Sequence, residues 1–375
     1  RGVERPLMVA DFVIVGGGAA GAATAWHLVS RGHSVVILER YARGHARGSS
    51  HGSTRIFRVS YREEIYSRLA GAAIPLWRQL ERESGETLLE QSGQLDHGVT
   101  SAIDEIEANL GAGGWSCDRL TPDQAHERWP GMVFDQSVIY SPDGGRVFAD
   151  RTIAALLRLA EAGGADLRFE DPALGLEPCA EGVRVRTSGD AITARGVIVT
   201  AGAWLPTIEG LDAFGIDLPP LRVTAQAPVH FAIRPGFSFP SYVHHAGTDA
   251  VDHTFDYGAY GLESPGEGVK VGLDSMELVP DLSARTLEVS PGAIEAAVDY
   301  ARQWLPGADT DRATAVSCLF TMTGDSHFLL DRRGPVVVCS PCSGHGFKFT
   351  PILGALIADV ALGGDPWASE WKLPA

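Results

Sequence analysis

The sequence predicts an α/β fold in two domains, one organised by a parallel sheet that starts at the N-terminus, the other by an antiparallel sheet. Three observations predict it. The chain opens with strand, glycine turn, helix and second strand, the start of a βαβ unit. Residues from "PPLRVTAQAPVHF" to "EGVKVGLDS" alternate apolar and polar side chains, as strands of an antiparallel sheet do. The length, 375 residues, exceeds what one hydrophobic core usually organises.

In chain order, "DFVIV" is a compact apolar strand, "GGGAAG" a turn, "AATAWHLVSRG" a helix and "SVVILE" the second strand. A longer helix is predicted at about residues 64–83, and short helices such as "SAIDEIEANLG" alternate with strands over 86–142. "DRTIAALLRLAEAGG" has amphipathic helical spacing and a glycine pair to stop it. "GVRVRT" and "RGVIVTAGAW" follow as strands rich in β-branched residues. Beyond the alternating region, "GAIEAAVDYARQWLPG" is a helix with a Gly–Pro border, and "HFLLD" and "GPVVVCS" are strands leading into "PCSGHGFKFTPILGALIADV". There is no repeat, low-complexity tract or Pro/Gly/Ser-rich linker, so the domains are expected to interleave. One takes residues 8–85, 143–215 and 322–375, the other 86–142 and 216–321.

Composition excludes some functions. The net charge is −16 and no dense Lys/Arg cluster occurs, which argues against nucleic acid and anionic membrane as partners. No stretch is long and apolar enough to predict a bilayer span. Five cysteines, an odd number, do not suggest a disulfide scaffold, and a reducing cytoplasm is the expected location. The opening "RGVERPL" has no leader pattern, and Met8 just before the first strand marks it as an expected extension outside the fold.

The glycine turn carries the first chemistry. Gly16, Gly18 and Gly21 fit G-x-G-x-x-G, whose glycines allow a tight turn, close approach of a pyrophosphate, and close packing of helix on strand. Free amides at the helix start then face the phosphates. Glu39 ends the second strand 23 residues after Gly16, where a carboxylate can accept hydrogen bonds from a ribose diol. The motif by itself leaves NAD and FAD open. "RGVIVTAGAW", an apolar strand ending in small residues far downstream, favours FAD, because FAD proteins of the glutathione-reductase type place such a strand beside the dinucleotide.

Lys348 lies between Phe347 and Phe349 after two loop glycines, a poor setting for a charge without a task. Together with the N-terminal motif, "GSSHGSTRIFR" (48–58), "SCLFTMTGDSHF" (317–328) and "SGHGFKF" (343–349) resemble the monomeric sarcosine oxidase and N-methyltryptophan oxidase family, amine oxidases with FAD attached to a cysteine. The resemblance runs from about residue 10 to 365 and is weakest between about 85 and 260. It implies a glutathione-reductase-like FAD domain and a catalytic domain whose antiparallel sheet roofs the flavin. It also implies a monomer, and oxidation of the C–N bond of a secondary, N-alkyl or cyclic amino acid by hydride transfer to flavin N5, with oxygen reduced to hydrogen peroxide.

The resemblance also implies roles. Cys318 matches the cysteine linked to the flavin, and Arg58 and Lys348 match the pair that grips the substrate carboxylate. His51, Thr54 and Arg55 match residues close to the ring. Lys270 matches a lysine that promotes the reaction with oxygen, and Tyr260 a tyrosine of the substrate pocket. Gly344 and Gly346 would let backbone amides approach the flavin. Read from the residues alone, Arg58 is a surface charge and Lys270 the exposed face of a strand.

Two positions depart from the family. Phe320 replaces a usual tyrosine, and Asp274 stands where relatives carry a histidine beside the substrate. An aspartate there can bind a second cationic group or point to solvent. Both departures motivate a second reading, a biosynthetic oxidase that desaturates a ring amine. An NAD-linked dehydrogenase and a non-catalytic flavin sensor are the alternatives of another class. Cys339 and Cys342 form a C-x-x-C, read as packing at a strand end because no helix start follows to lower a thiol pKa. No metal motif is found; His244, His245 and His253 lack zinc-like spacing.

Overall fold

The computed structural model describes residues 9–245, 258–274 and 277–374; Met8 with its extension and His253 lie outside the described residues. The apolar strand β1 (Val9–Val15) is followed by α1 (Ala19–Ser30) and β2 (Val35–Leu38), and β1 pairs in parallel with β2. On its other side β1 pairs in parallel with 191–199, which pairs in parallel with 336–340; 166–168 extends the sheet beyond β2. Antiparallel strands at 173–187 and 329–340 finish the eight-stranded sheet. Every residue of β2 is buried, as expected for a parallel sheet covered on both faces.

Small residues decide how close the covering helices lie. A methyl group added at Gly354, in the helix Thr350–Ala361, would come within 2.5 Å of Ala23 in α1. That contact clamps the C-terminal helix onto the glycine-turn helix, so the loop before it falls beside the nucleotide turn. The strand β3 (Thr54–Phe57) follows a loop, and the long amphipathic helix α2 (Glu64–Ser84) ends at Gly85 in the left-handed conformation that glycine adopts freely. The Trp77 indole of α2 donates to the Lys348 carbonyl at 2.8 Å and pins the 347–349 turn.

The second eight-stranded sheet runs 308–315, 229–233, 268–273, 259–264, 241–245, 94–98, 137–141, 118–120. All neighbours are antiparallel except 241–245 with 94–98, a parallel pair that the alternating pattern does not reveal. Across it, Lys270 pairs with His230 and Leu262, and Val243 with Tyr260 and Asp96. Directly paired residues point to one face, so these six share the face turned to the first sheet.

Candidate active site

A cavity of about 690 Å³ opens between the two sheets, within the usual size of small-molecule and cofactor sites. At one end it is walled by the glycine turn. Gly16 has φ +104, and a methyl group there would come within 2.6 Å of the Thr200 carbonyl; one at Gly21 would lie 1.9 Å from the Gly16 carbonyl. Gly18 is the N-cap of α1 and brings no side chain to cover the first amides. Glu39 is buried and accepts from the amides of Gly17 and Tyr41 at 2.8 and 2.9 Å. Burial by itself would raise this carboxyl, but the hydrogen bonds from His45 and those two amides hold it below the ordinary range. An anion therefore stands ready where β2 ends.

The middle of the cavity is bordered by the 48–53 loop and β3. Arg55 is tied down by the carbonyls of Thr54 and Ser49 at 2.8 and 3.1 Å, and of His51. The His51 ring faces the cavity, and its buried Nε2 has no hydrogen-bond partner among the described residues. Burial and the charges of Arg55 and Arg285 push it down to about 4, so it is neutral. The Lys270 ammonium donates to the Thr54 carbonyl and hydroxyl at 2.8 and 3.2 Å. Burial, then the Arg55 charge, lowers it to about 7. Cys318, 6% exposed, lines the same space with Phe320, Tyr260 and Asp274. Burial pushes the Tyr260 phenol well up, while Asp274 is exposed at the cavity edge.

At the far end lie Arg58 and Lys348, 4% and 5% exposed. Both cations sit over the Tyr61 ring, at 4.1 and 5.5 Å from its centroid. Lys348 donates to the His345 carbonyl at 2.8 Å, and burial with the Arg58 charge pushes it well below its usual value. Gly344 has φ +73, and a methyl group at Gly346 would lie 1.5 Å from the Pro341 carbonyl. The loop can take this course only with glycine at 346.

All sixteen residues singled out from the sequence meet around this one space, except that Gly21 lies just behind its wall. Two readings from residues alone are corrected. Arg58 is not a surface charge, because its guanidinium is buried on the Tyr61 ring beside the Asp96 carboxylate. Lys270 is not on an exposed face, because β3 packs against that face and its ammonium is buried on Thr54. Sequence reasoning missed Asp96 and His245. Asp96, fully buried, lies 3.8 Å from Arg58 and 3.0 Å from the His245 Nε2. Its only signal was a charged residue within a strand that is buried at every position, "QLDHG". At the C-x-x-C, Cys339 is buried at a strand end and burial raises the Cys342 thiol to about 11, unsuited to dithiol exchange. Among the described residues no cluster of His, Cys, Asp or Glu is placed to hold a metal ion, and no helix is long and apolar enough to cross a membrane.

The profile of the family described as FAD dependent oxidoreductase matches residues 11–360. The chain belongs to the FAD-dependent oxidoreductase family. Its members carry FAD, which removes the NAD-linked dehydrogenase that the glycine motif left open. The chain is similar to the monomeric sarcosine oxidase of Streptomyces avermitilis, 31% identical with 94% of each chain covered. It also resembles the N-methyl-L-tryptophan oxidase of Yersinia pestis, 26% identical over 93% of this chain and 94% of that one. Among solved structures, NikD, an unusual amino acid oxidase essential for nikkomycin biosynthesis, superposes with a TM-score of 0.82 at 28% identity, covering 95% of this chain and 94% of that chain. The cavity fits FAD: a turn that excludes side chains where pyrophosphate approaches, a carboxylate at the end of β2, and a buried, unpartnered imidazole nitrogen midway.

Proposed function

We propose that the protein is an FAD-dependent oxidase of the C–N bond in a secondary amino acid, N-alkyl or cyclic, with oxygen reduced to hydrogen peroxide. The observation that carries this is the pair Arg58 and Lys348, two cations buried on one aromatic ring at the cavity wall. Two desolvated like charges are costly side by side, and a carboxylate between them offsets that cost. The curated relatives are named for N-methyl amino acids, which carry such a carboxylate.

In this reading Gly16, Gly18, Gly21 and Glu39 hold the dinucleotide, and Gly344, Gly346, His51, Thr54 and Arg55 surround the ring. Bound FAD would supply the acceptor for a hydride from the carbon beside the amine, with oxygen as the final electron acceptor. Arg58 and Lys348 fix the acid end, so the oxidisable carbon is held in one place and binding geometry supplies much of the rate. Tyr260 closes the substrate side, and Lys270 offers positive charge to oxygen as it becomes anionic. The division into an FAD domain (8–85, 143–215, 322–375) and a catalytic domain (86–142, 216–321), a monomeric state and a cytoplasmic location belong to the same proposal.

The test is anaerobic mixing of the yellow protein with N-methyl and cyclic amino acids, followed by air. Bleaching by an amino acid but not by its decarboxylated amine, with peroxide formed on aeration, supports the proposal; bleaching by both alike sinks it. Phe320 and Asp274 at the cavity favour one second reading, a biosynthetic oxidase that desaturates a ring amine. A product that keeps all its carbons would mark it.

Two further outcomes are expected. Cys318→Ala should leave the colour in the supernatant after acid precipitation, whereas the native chain keeps it in the pellet, as a thioether through Cys318 requires. Gly346→Ala should cost several-fold or more in flavin retention and lower the melting temperature, because the loop cannot hold its course with a methyl group against Pro341. Flavin content per chain and a thermal melt check both.

A further inference from the structure

The reading of Arg58 and Lys348 as a carboxylate site leaves Asp96 unexplained, and any role for Asp96 in selecting ligands rests on that reading. A fully buried carboxylate beside a site for carboxylates is electrostatically adverse to the ligand. Asp96 is nonetheless firmly built in. Its Oδ1 accepts from His245 at 3.0 Å and lies 3.8 Å from the Arg58 guanidinium, and its Oδ2 accepts from the Gln94 amide at 3.2 Å. Strand pairing sets the geometry, because Asp96 and His245 lie two register positions apart on one face of the parallel pair 94–98 and 241–245. Despite burial, the hydrogen bond from His245 and the Arg58 charge hold the Asp96 carboxyl below its ordinary value, so it is ionised.

We propose that Asp96 is a specificity-determining residue that removes one unit of positive charge from the Arg58–Lys348 site, so that the site accepts a monocarboxylate and rejects a dianion. With a carboxylate bound and Lys348 protonated beside it, Arg58, Lys348 and Asp96 together carry one positive charge. A monocarboxylate brings it to zero, while a dicarboxylate would leave an uncompensated negative charge close to the Tyr61 and Phe349 rings that Lys348 sits over. Among the titratable groups around Lys348 and Arg58, His345 is kept neutral by burial and by those same two charges. The expected substrate class is a monocarboxylic amino acid, with aspartate- or glutamate-like substrates excluded at the acid end.

The test measures binding of propionate and malonate to the holoenzyme at pH 8 and fixed ionic strength, by calorimetry and by perturbation of the flavin absorption band. Both ligands have three carbons and neither has a C–N bond to oxidise. The native protein should bind propionate at least about tenfold more tightly than malonate. Asp96→Asn keeps the shape and removes the charge. It should tighten propionate by about tenfold and malonate by about the square of that factor, because a dianion feels the removed charge twice. Asp96→Glu should keep the native preference. Equal weakening of both ligands in Asp96→Asn would mean a merely structural role and would overturn the proposal. So would native protein that binds malonate as tightly as propionate, a result that needs no variant to fold. If the native holoenzyme binds neither ligand, the carboxylate reading of Arg58 and Lys348 falls, and this proposal with it.

Discussion

Lys348→Met should lower kcat/KM for the amino-acid substrate by roughly 10²–10³-fold, since truncating one member of a buried, hydrogen-bonded charge pair costs about 2–5 kcal/mol. Arg58→Lys should cost a comparable factor, because a point charge cannot replace a planar fork stacked on Tyr61. Steady-state kinetics and carboxylate binding by calorimetry check both, and flavin content should stay near native. A pH signature accompanies the effect. In the ligand-free site burial and Arg58 push Lys348 well below its usual value, so at higher pH it is neutral. A carboxylate beside it restores the charge. Binding therefore takes up a proton, and affinity falls as pH rises above the free-site value. Calorimetry in two buffers of different ionisation heat counts that proton. No uptake in the native protein, or undiminished uptake in Lys348→Met, would remove Lys348 from the site.

Lys270→Met should slow the reaction with oxygen by about 10²–10³-fold, the usual loss when one preorganised charge or donor is taken from an oxyanion. Reduction by substrate should change far less. Stopped-flow mixing of substrate-reduced protein with oxygenated buffer separates the two steps. The same substitution should stabilise the flavin-free chain. Lys270 holds its proton with a pKa near 7 in the fold against 10.5 as its ordinary value, so the unfolded chain binds that proton more tightly. The resulting penalty on folding, on the order of several kcal/mol, is complete below about pH 7 and fades as pH rises towards 10.5. Urea denaturation of both proteins at pH 6.5 and pH 10 should show the variant's advantage shrinking at the higher pH. A gap that does not narrow would mean that the Lys270 proton is held equally well in both states.

Much of the site was legible before the structure. Gly16, Gly18, Gly21 and Glu39 announce themselves through spacing because a pyrophosphate turn needs residues without side chains at fixed intervals. Lys348 stood out because aromatic neighbours and glycines on a short loop are a poor place for a solvated charge. Arg58 and Lys270 carried no such mark. Arg58 follows the short strand β3 and Lys270 sits in 268–273, which alternates as many half-exposed strands do, and only the family resemblance lifted them from that background.

Asp96 was beyond reach by either route. Its partners are 38 residues before it and 149 after it, Arg58 and His245, and nothing local to "QLDHG" announces them. The sequence by itself determined the strand–turn–helix order, the nucleotide turn and the residue types available for chemistry. These depend on backbone freedom and periodicity, which are local properties. Only the tertiary structure decided which face of the second sheet is covered, that Arg58 and Lys348 share one ring, and that a buried carboxylate stands beside them. Such facts arise when strands distant in sequence pair and when one sheet's loops close over the other, and hydrophobic periodicity says that a face is buried without saying by what.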